Sequence, residues 1–100
     1  MPRNKFILHA SVWVYPGMAA WRFLTIPKKE SKEITERFGA KKQGWGSLPV
    51  RVTIGKTKWT TSIFPDKKTE TYLLPLKRDI RKKENITDED TISFSIEIRV

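Results

Sequence analysis

Hydrophobic and polar residues alternate along most of this chain, as they do in strands that bury one face and expose the other. Six segments show this pattern, and turn-forming Gly, Pro and Asp residues separate them. The predicted strands cover residues 5–14, 20–26, 48–54, 59–63, 71–74 and 92–100. The Gly55-Lys56 step joins the third and fourth segments as a hairpin. Antiparallel strands with short turns are typical of a barrel or a sandwich.

Two segments have helical rather than alternating periodicity. In the first, Ser31 is the predicted N-cap and Gly39 the C-terminal stop. Ile34 and Phe38 lie one turn apart on this helix, so we expect them to plug one end of a barrel. The second helix is predicted over Pro75–Lys83, since proline suits the first helical position. The pattern as a whole predicts an all-β fold with two short capping helices.

Three tryptophans lie in predicted strands, and their phase predicts where each is buried. Trp21 and Trp59 are in phase with apolar positions, so we expect both in the core. Trp13 is out of phase with the apolar face of the first strand. We therefore expect Trp13 to be exposed or to belong to an interface.

The composition is that of a single globular domain over residues 1–100, with 38% hydrophobic residues and no cysteine. The lack of cysteine excludes disulfides, thiol chemistry and cysteine-based zinc sites, and it fits a reducing compartment. No window approaches the roughly 18 apolar residues of a membrane helix. His9 and Ser11 interrupt the N-terminal apolar run, which fits a strand better than a signal peptide. We expect a cytoplasmic protein with no membrane partner.

The formal net charge is +9, and the basic excess is uneven along the chain. Residues 1–60 hold 12 basic and 3 acidic residues, whereas residues 61–100 hold 8 of each. Such an excess predicts nucleic acid or another anionic partner, because long-range attraction favours one. The alternative is that Lys and Arg only keep the surface soluble and protect the sheet edges.

Several sequence blocks resemble the bacterial and archaeal domain-of-unknown-function 1905 family. These blocks are Ala20-Trp21, RVTIG at 51–55, WTTSIFPDK at 59–67, TYLLPLK at 71–77, Ile80-Arg81-Lys82 and Asp90-Thr91-Ile92. The resemblance covers nearly the whole chain and implies a small closed or double-split β-barrel, here with six strands. It implies no activity. This barrel is similar in shape to swapped-hairpin transcription regulators.

The sequence departs from the family pattern before its last strand. Barrels of this kind often carry a Gly-Asp step there, because glycine permits the turn and aspartate caps it. Glu89-Asp90 stands at this place in the present chain. Either Glu89 adopts a conformation that favours glycine, or the turn shifts by a residue.

Catalytic and metal-binding patterns are weak in this sequence. His9 is the only histidine, and no spacing pairs it with a nucleophile and an orienting acid. The Asp88–Asp90 run offers oxygen ligands for a hard cation, but it also suits a charged turn before a strand. We therefore expect neither enzymatic activity nor a cofactor, and no metal site.

Two sets of residues are candidates for binding. Lysines near a tryptophan, together with the basic second helix, favour a nucleic-acid surface, in which the indole stacks on a base. This set is Lys41, Lys42, Trp45, Lys82 and Lys83. The alternative for Trp45 is that it covers a barrel end.

The second set would bind a small anionic ligand or a protein partner in a pocket at one barrel end. It consists of Arg51, Ser62, Tyr72, Lys77 and Arg81. Converging Arg and Lys side chains suit a phosphate or carboxylate, although they also satisfy backbone carbonyls. The sequence thus predicts a non-catalytic β-barrel binding module, and we expect a monomer or a weak dimer.

Overall fold

A computed structural model describes residues 4–18, 20–41 and 46–100, with only the backbone at Lys41. Over these residues the chain forms seven strands, two α-helices and one 3-10 turn. The strands are β1 Lys5–Ser11, β2 Trp13–Val14, β3 Arg22–Ile26, β4 Leu48–Ile54, β5 Thr57–Asp66, β6 Thr71–Pro75 and β7 Thr91–Ile98. The helices are α1 Lys28–Phe38 and α2 Arg78–Lys83, and the 3-10 turn is Gly39–Lys41.

The strands form one antiparallel sheet in the order β1-β7-β4-β5-β6-β3-β2, curved as a half-barrel. The first seven residues of β5 pair with β4 and its last three pair with β6, so one long strand links both parts of the sheet. The predicted all-β fold with two short helices is confirmed. Neither helix of the described residues is long and apolar enough to cross a membrane.

The structure has seven strands in the described residues, where the sequence predicted six. The predicted first strand is interrupted at Val12, whose N–H donates to the Asp90 carbonyl at 2.9 Å. The Val12 carbonyl accepts from the Glu89 N–H at 3.0 Å. Alternation continues across this residue, so the pattern alone could not show that its backbone leaves the ladder. The two halves of the predicted strand stand at opposite ends of the strand order.

The core lies on the inner face of the curved sheet and consists mainly of aliphatic side chains. Those less than 2% exposed are Val12, Leu24, Ile26, Ile34, Leu48, Val50, Val52, Ile63, Leu74, Leu76, Ile96 and Ile98. Burying each such side chain contributes about 1.5–3 kcal/mol to folding. Phe38 packs against this cluster and Ile34 belongs to it, so the two side chains expected to plug a barrel end both pack on the core.

Both helices begin elsewhere than predicted. Helix α1 begins at Lys28 after Pro27, so Ser31 is not the N-cap but a buried residue inside the helix. Helix α2 begins at Arg78, and Pro75 instead ends β6 opposite Phe23. The fixed backbone of proline is compatible with either place, because its missing N–H is tolerated at a strand end.

Candidate aromatic binding surface

Four aromatic rings pack together on the outer face of the sheet, away from the core. They belong to Trp13, Tyr15, Trp21 and Phe23, and we call them the aromatic patch. Neighbouring ring centroids lie 5.3–6.4 Å apart, in tilted or edge-to-face arrangements that aromatic pairs prefer. The patch places a large apolar area on the surface rather than in the interior.

A short hairpin positions the patch. Trp13 pairs with Phe23 across β2 and β3. The turn that follows is held by backbone hydrogen bonds from the Tyr15 N–H to the Trp21 carbonyl at 3.0 Å and from the Trp21 N–H to the Met18 carbonyl at 2.9 Å. Tyr15 and Trp21 are therefore held side by side at the base of the turn, with ring centroids 6.4 Å apart.

The four rings divide into a supporting pair and an exposed pair. Phe23 is only 6% exposed, and Trp13 is half-buried with its Nε1–H donating to Thr25 Oγ1 at 2.9 Å. Trp21 is 52% exposed and Tyr15 is 40% exposed. Exposed, clustered rings of this kind mark interaction sites. Trp21 and Tyr15 are the rings that a ligand would contact.

The prediction that Trp21 is a core residue is wrong, whereas Trp59 packs against the core as predicted. Leu24 and Ile26 set the inner face of β3, so Trp21 is in phase with the outer face. Phe23 lies on that same outer face and is apolar as well. Apolar residues on both faces concealed the phase in the sequence.

Basic side chains lie at both ends of the patch. At one end, a groove of about 670 Å³ runs from Trp13 and Tyr15 to Pro65 near the end of β5 and to Lys67 and Lys68 in the turn that follows. At the other end, a recess of about 90 Å³ lies between Trp21 and Pro75, with Lys77 along its rim. The three lysines are exposed. Both ends of the patch are thus suited to attract an anion.

One acidic side chain also lines the larger groove. Asp66 Oδ1 accepts from the Lys68 N–H at 3.2 Å and so caps the turn that presents the lysines. Arg22 lines the smaller recess and binds Asp88 through Nε at 2.6 Å and through a second guanidinium nitrogen at 3.3 Å. This bidentate pair ties β3 to the loop after α2.

The structure spreads the predicted anion-binding set over both faces of the sheet. Arg51 and Ser62 lie on the outer face of β4 and β5, where Arg51 is opposite Thr60 and Glu97. Tyr72 is 2% exposed and belongs to the core on the inner face. Arg51 and Ser62 therefore share a face from which the sheet separates Tyr72.

The other two residues of that set lie at α2. Lys77 precedes the helix in an extended conformation and is exposed. The Arg81 side chain donates from Nε to the Leu76 carbonyl at 3.2 Å, a contact that fixes the start of the helix. Of the five residues in the predicted anion-binding set, only Lys77 lines one of the two grooves at the ends of the aromatic patch.

The predicted nucleic-acid set is only partly within the described residues. Lys42 and Trp45 lie outside them, and so does the side chain of Lys41. Lys82 and Lys83 are exposed in the last turn of α2, where positive charge is favourable for the helix dipole. The aromatic patch was not part of either predicted set, although Trp13 and Tyr15 near a turn were a usable signal.

The structure also pairs two residues that the sequence spacing did not connect. His9 Nδ1 and Ser93 Oγ lie 2.8 Å apart as cross-strand neighbours on an exposed part of β1 and β7. Cross-strand polar pairs of this kind are ordinary sheet contacts. Among the described residues, no group of three or more His, Cys, Asp or Glu side chains is arranged as metal ligands.

The acidic turn before β7 has specific structural contacts. Asp90 Oδ2 accepts from the Thr87 N–H at 2.8 Å, and Asp88 is bound by Arg22. Glu89 has φ +71, in the left-handed region that favours glycine. Of the two alternatives for the missing Gly-Asp step, the chain thus keeps the turn and places glutamate in the glycine conformation.

Fold and surface together define a small antiparallel β-sheet domain with an exposed aromatic and basic face. The sequence model of the family described as Domain of unknown function (DUF1905) matches residues 9–96. The chain therefore belongs to this family, and the predicted resemblance is confirmed. A comparison with curated proteins gave no match.

Proposed function

We propose that this domain is a non-catalytic binding module for single-stranded nucleic acid and that the aromatic patch is its base-binding surface. The observation that supports this most strongly is the exposure of Trp21 and Tyr15 on an outer sheet face with lysines at both ends. Stacking of a base on an aromatic side chain contributes about 1–3 kcal/mol. Two exposed rings are therefore enough for useful affinity.

The charge of the chain supports the same ligand. A net charge of +9 attracts phosphate backbones, and each neutralised phosphate adds affinity through counterion release. Lys77 borders the patch and leads directly into the basic helix α2. The phosphate-binding and base-binding parts of the surface are thus adjacent.

The exposed rings favour a single strand over a duplex. The faces of bases in a duplex are covered by their neighbours, so a ring on a protein surface stacks readily only on unpaired bases. Trp21 and Tyr15 lie at the base of the β2–β3 turn rather than on a long helix that would enter a major groove. We therefore expect single-stranded DNA or RNA to bind more tightly than duplexes of the same length.

We also propose that the bent first strand closes the sheet into a double-split barrel in the cytoplasm. In support, β1 and β2 stand at the two ends of the strand order, yet only Val12 separates them in the chain. Closure would hold the patch rigidly. β1 and β3 already adjoin without pairing in the structure, so the test is whether backbone hydrogen bonds join them in solution, and their absence would contradict closure.

The binding proposal is tested by titrating labelled single-stranded and duplex oligonucleotides at about 50 and 200 mM salt. We expect binding to the single strand that weakens steeply with salt. Trp21→Ala and Tyr15→Ala should each lower affinity by about tenfold, the loss of roughly one stacked base. Ile7→Ala is the matched control, because Ile7 is 75% exposed on a different part of the sheet. Affinity unchanged by both aromatic substitutions would refute the proposal.

The same titration distinguishes the aromatic patch from the alternative site for a small anionic ligand around Arg51. Arg51 lies on β4, outside both grooves of the patch. Arg51→Ala should therefore leave nucleic-acid binding unchanged. If it abolishes binding while Trp21→Ala has no effect, the site lies around Arg51 instead.

A further inference from the structure

We propose that the aromatic patch takes an internal stretch of about four nucleotides or more, with phosphates held at both ends, rather than a mononucleotide or a dinucleotide. This inference rests on the proposed function and specifies its ligand. The observation behind it is the separation of the cations into two groups, with the exposed rings between them.

The first phosphate-binding group is Lys67 and Lys68, in the turn between β5 and β6. These lysines face Trp13 and Tyr15 across the larger groove. The Asp66 cap fixes the turn by accepting from the Lys68 N–H, so both lysines belong to a defined structure. A phosphate bound here lies beside Tyr15.

The second group is Lys77, at the opposite end of the patch. It borders the recess that Trp21 and Phe23 form with Pro75. A phosphate bound here lies beside Trp21, on the side away from the first group. A nucleotide with one phosphate cannot use both ends, whereas a strand with bases on Tyr15 and Trp21 can.

The middle of the patch consists of the exposed rings. Arg22 lines the recess at the Lys77 end, where its guanidinium is bound to both oxygens of Asp88. A ligand is therefore recognised by base stacking in the middle and by phosphate contacts at the ends. This arrangement suits a nucleic-acid single strand whose bases face the protein sheet.

The larger groove continues beyond the patch. A neighbouring depression of about 280 Å³ shares Pro65, Asp66 and Lys67 with it and extends past the acidic side chain of Glu70 to Thr35 on α1. A strand that leaves Tyr15 at the Lys67 end thus has an open path along the surface. The surface groove therefore extends beyond the space that one or two nucleotides would occupy.

The test measures affinity for oligothymidylates of two to about eight nucleotides, a range that covers the smallest site sizes of comparable β-barrels. We expect affinity for the full-length protein to rise by at least about tenfold as the strand lengthens to four to six nucleotides, and then to level off. Each phosphate neutralised on a single strand changes the salt slope, which is the slope of log affinity against log salt concentration, by about 0.7. Lys77→Gln should reduce the slope for the longest strand by about 0.7 and the double variant Lys67→Gln/Lys68→Gln by about 1.4.

Charge-matched controls are Lys58→Gln for the single variant and Lys5→Gln/Lys58→Gln for the double variant. Both lysines are exposed on strands outside the patch. The proposal is overturned if two nucleotides bind as tightly as eight. It is also overturned if the salt slope of Lys77→Gln and of Lys67→Gln/Lys68→Gln falls by no more than that of their controls. If no strand of any length binds the wild type, the proposed function itself fails. If strands bind without length dependence, only the present inference fails.

Discussion

Ser31 Oγ accepts a hydrogen bond from the backbone N–H of Tyr72 at 3.0 Å and donates to the Ile26 carbonyl at 3.0 Å. One hydroxyl thereby links α1 to β3, which carries Phe23 of the aromatic patch, and to the neighbouring strand β6. The Ser31 side chain is buried, so no water replaces it without rearrangement.

Ser31→Ala should lower the free energy of unfolding by about 1–3 kcal/mol, because it leaves the buried Tyr72 N–H and the Ile26 carbonyl without their partner. Urea denaturation measures the change. Ser93→Ala removes an exposed hydroxyl and should change stability by less than about 0.5 kcal/mol. Equal effects of the two substitutions would contradict the bridging role of Ser31.

Tyr72→Phe should leave the protein as stable as the wild type or stabilise it by about 1 kcal/mol. The Tyr72 hydroxyl is buried and has no hydrogen-bond partner among the described residues, so its desolvation is not compensated. Thermal unfolding measures this effect. A loss of more than 1 kcal/mol would mean that the hydroxyl has a partner in solution, and it would renew the case for Tyr72 as a ligand-binding residue.

Gly55→Ala should destabilise the β4–β5 hairpin more than Gly17→Ala destabilises the turn of the patch. Both glycines have positive φ, so alanine costs about 1 kcal/mol of strain at each. Space surrounds Gly17, but a Cβ on Gly55 would collide with the Glu84 carboxylate. That carboxylate accepts from Thr57 Oγ1 at 2.6 Å, which holds it over the hairpin.

A double variant separates the two costs at Gly55. Gly55→Ala/Glu84→Ala removes the collision and should leave a strain like that of Gly17→Ala, once the effect of Glu84→Ala alone is subtracted. Chemical denaturation of the four proteins completes the cycle. A strictly additive result would show that Glu84 moves away at no cost.

Glu89→Gly should raise the free energy of unfolding by up to about 1 kcal/mol. Glutamate pays about 1–2 kcal/mol for the left-handed conformation, which exceeds the roughly 0.5–1 kcal/mol of extra chain entropy that glycine loses. Differential scanning calorimetry would show a higher Tm. Glu97→Gly, within β7, is the control and should lower it. A lower Tm for Glu89→Gly would mean that the glutamate side chain makes a stabilising contact.

The Arg22–Asp88 pair should have a coupling energy of about 0.5–1 kcal/mol that decreases at high salt. Asp88 is half exposed, which keeps the interaction weak despite its bidentate geometry. A double-mutant cycle with Arg22→Ala and Asp88→Ala measures the coupling. Arg22→Ala alone should cost more than Asp88→Ala, because Arg22 makes further contacts. Coupling unaffected by salt would imply a desolvated pair.

Strands β1, β4 and β7 could be predicted because each has one buried face. Leu48, Val50, Val52 and Ile54 are all buried, and the alternation of these residues fixed both the strand and its phase. The hairpin with β5 followed from Gly55, which has the positive φ that its position required. Local pattern and tertiary structure agree there.

The sequence did not predict the aromatic patch, because its residues are apolar and yet face outward. Alternation identifies a core face, but it cannot tell a second apolar face packed on itself from the core, and Phe23 and Trp21 form such a face. The role of Ser31 was hidden for a different reason, since its partners Ile26 and Tyr72 are brought together only by the tertiary fold.

The pairing of β1 with β7 has a consequence for how the domain is made. Even the closest paired residues of these strands, Ser11 and Thr91, are 80 positions apart in the chain. During synthesis, β1 leaves the ribosome before β7, so its backbone cannot form these hydrogen bonds until β7 has been made. Contacts of such long sequence separation also slow folding. The sheet therefore completes only after synthesis of β7, and until then β1 lacks the strand with which its backbone pairs.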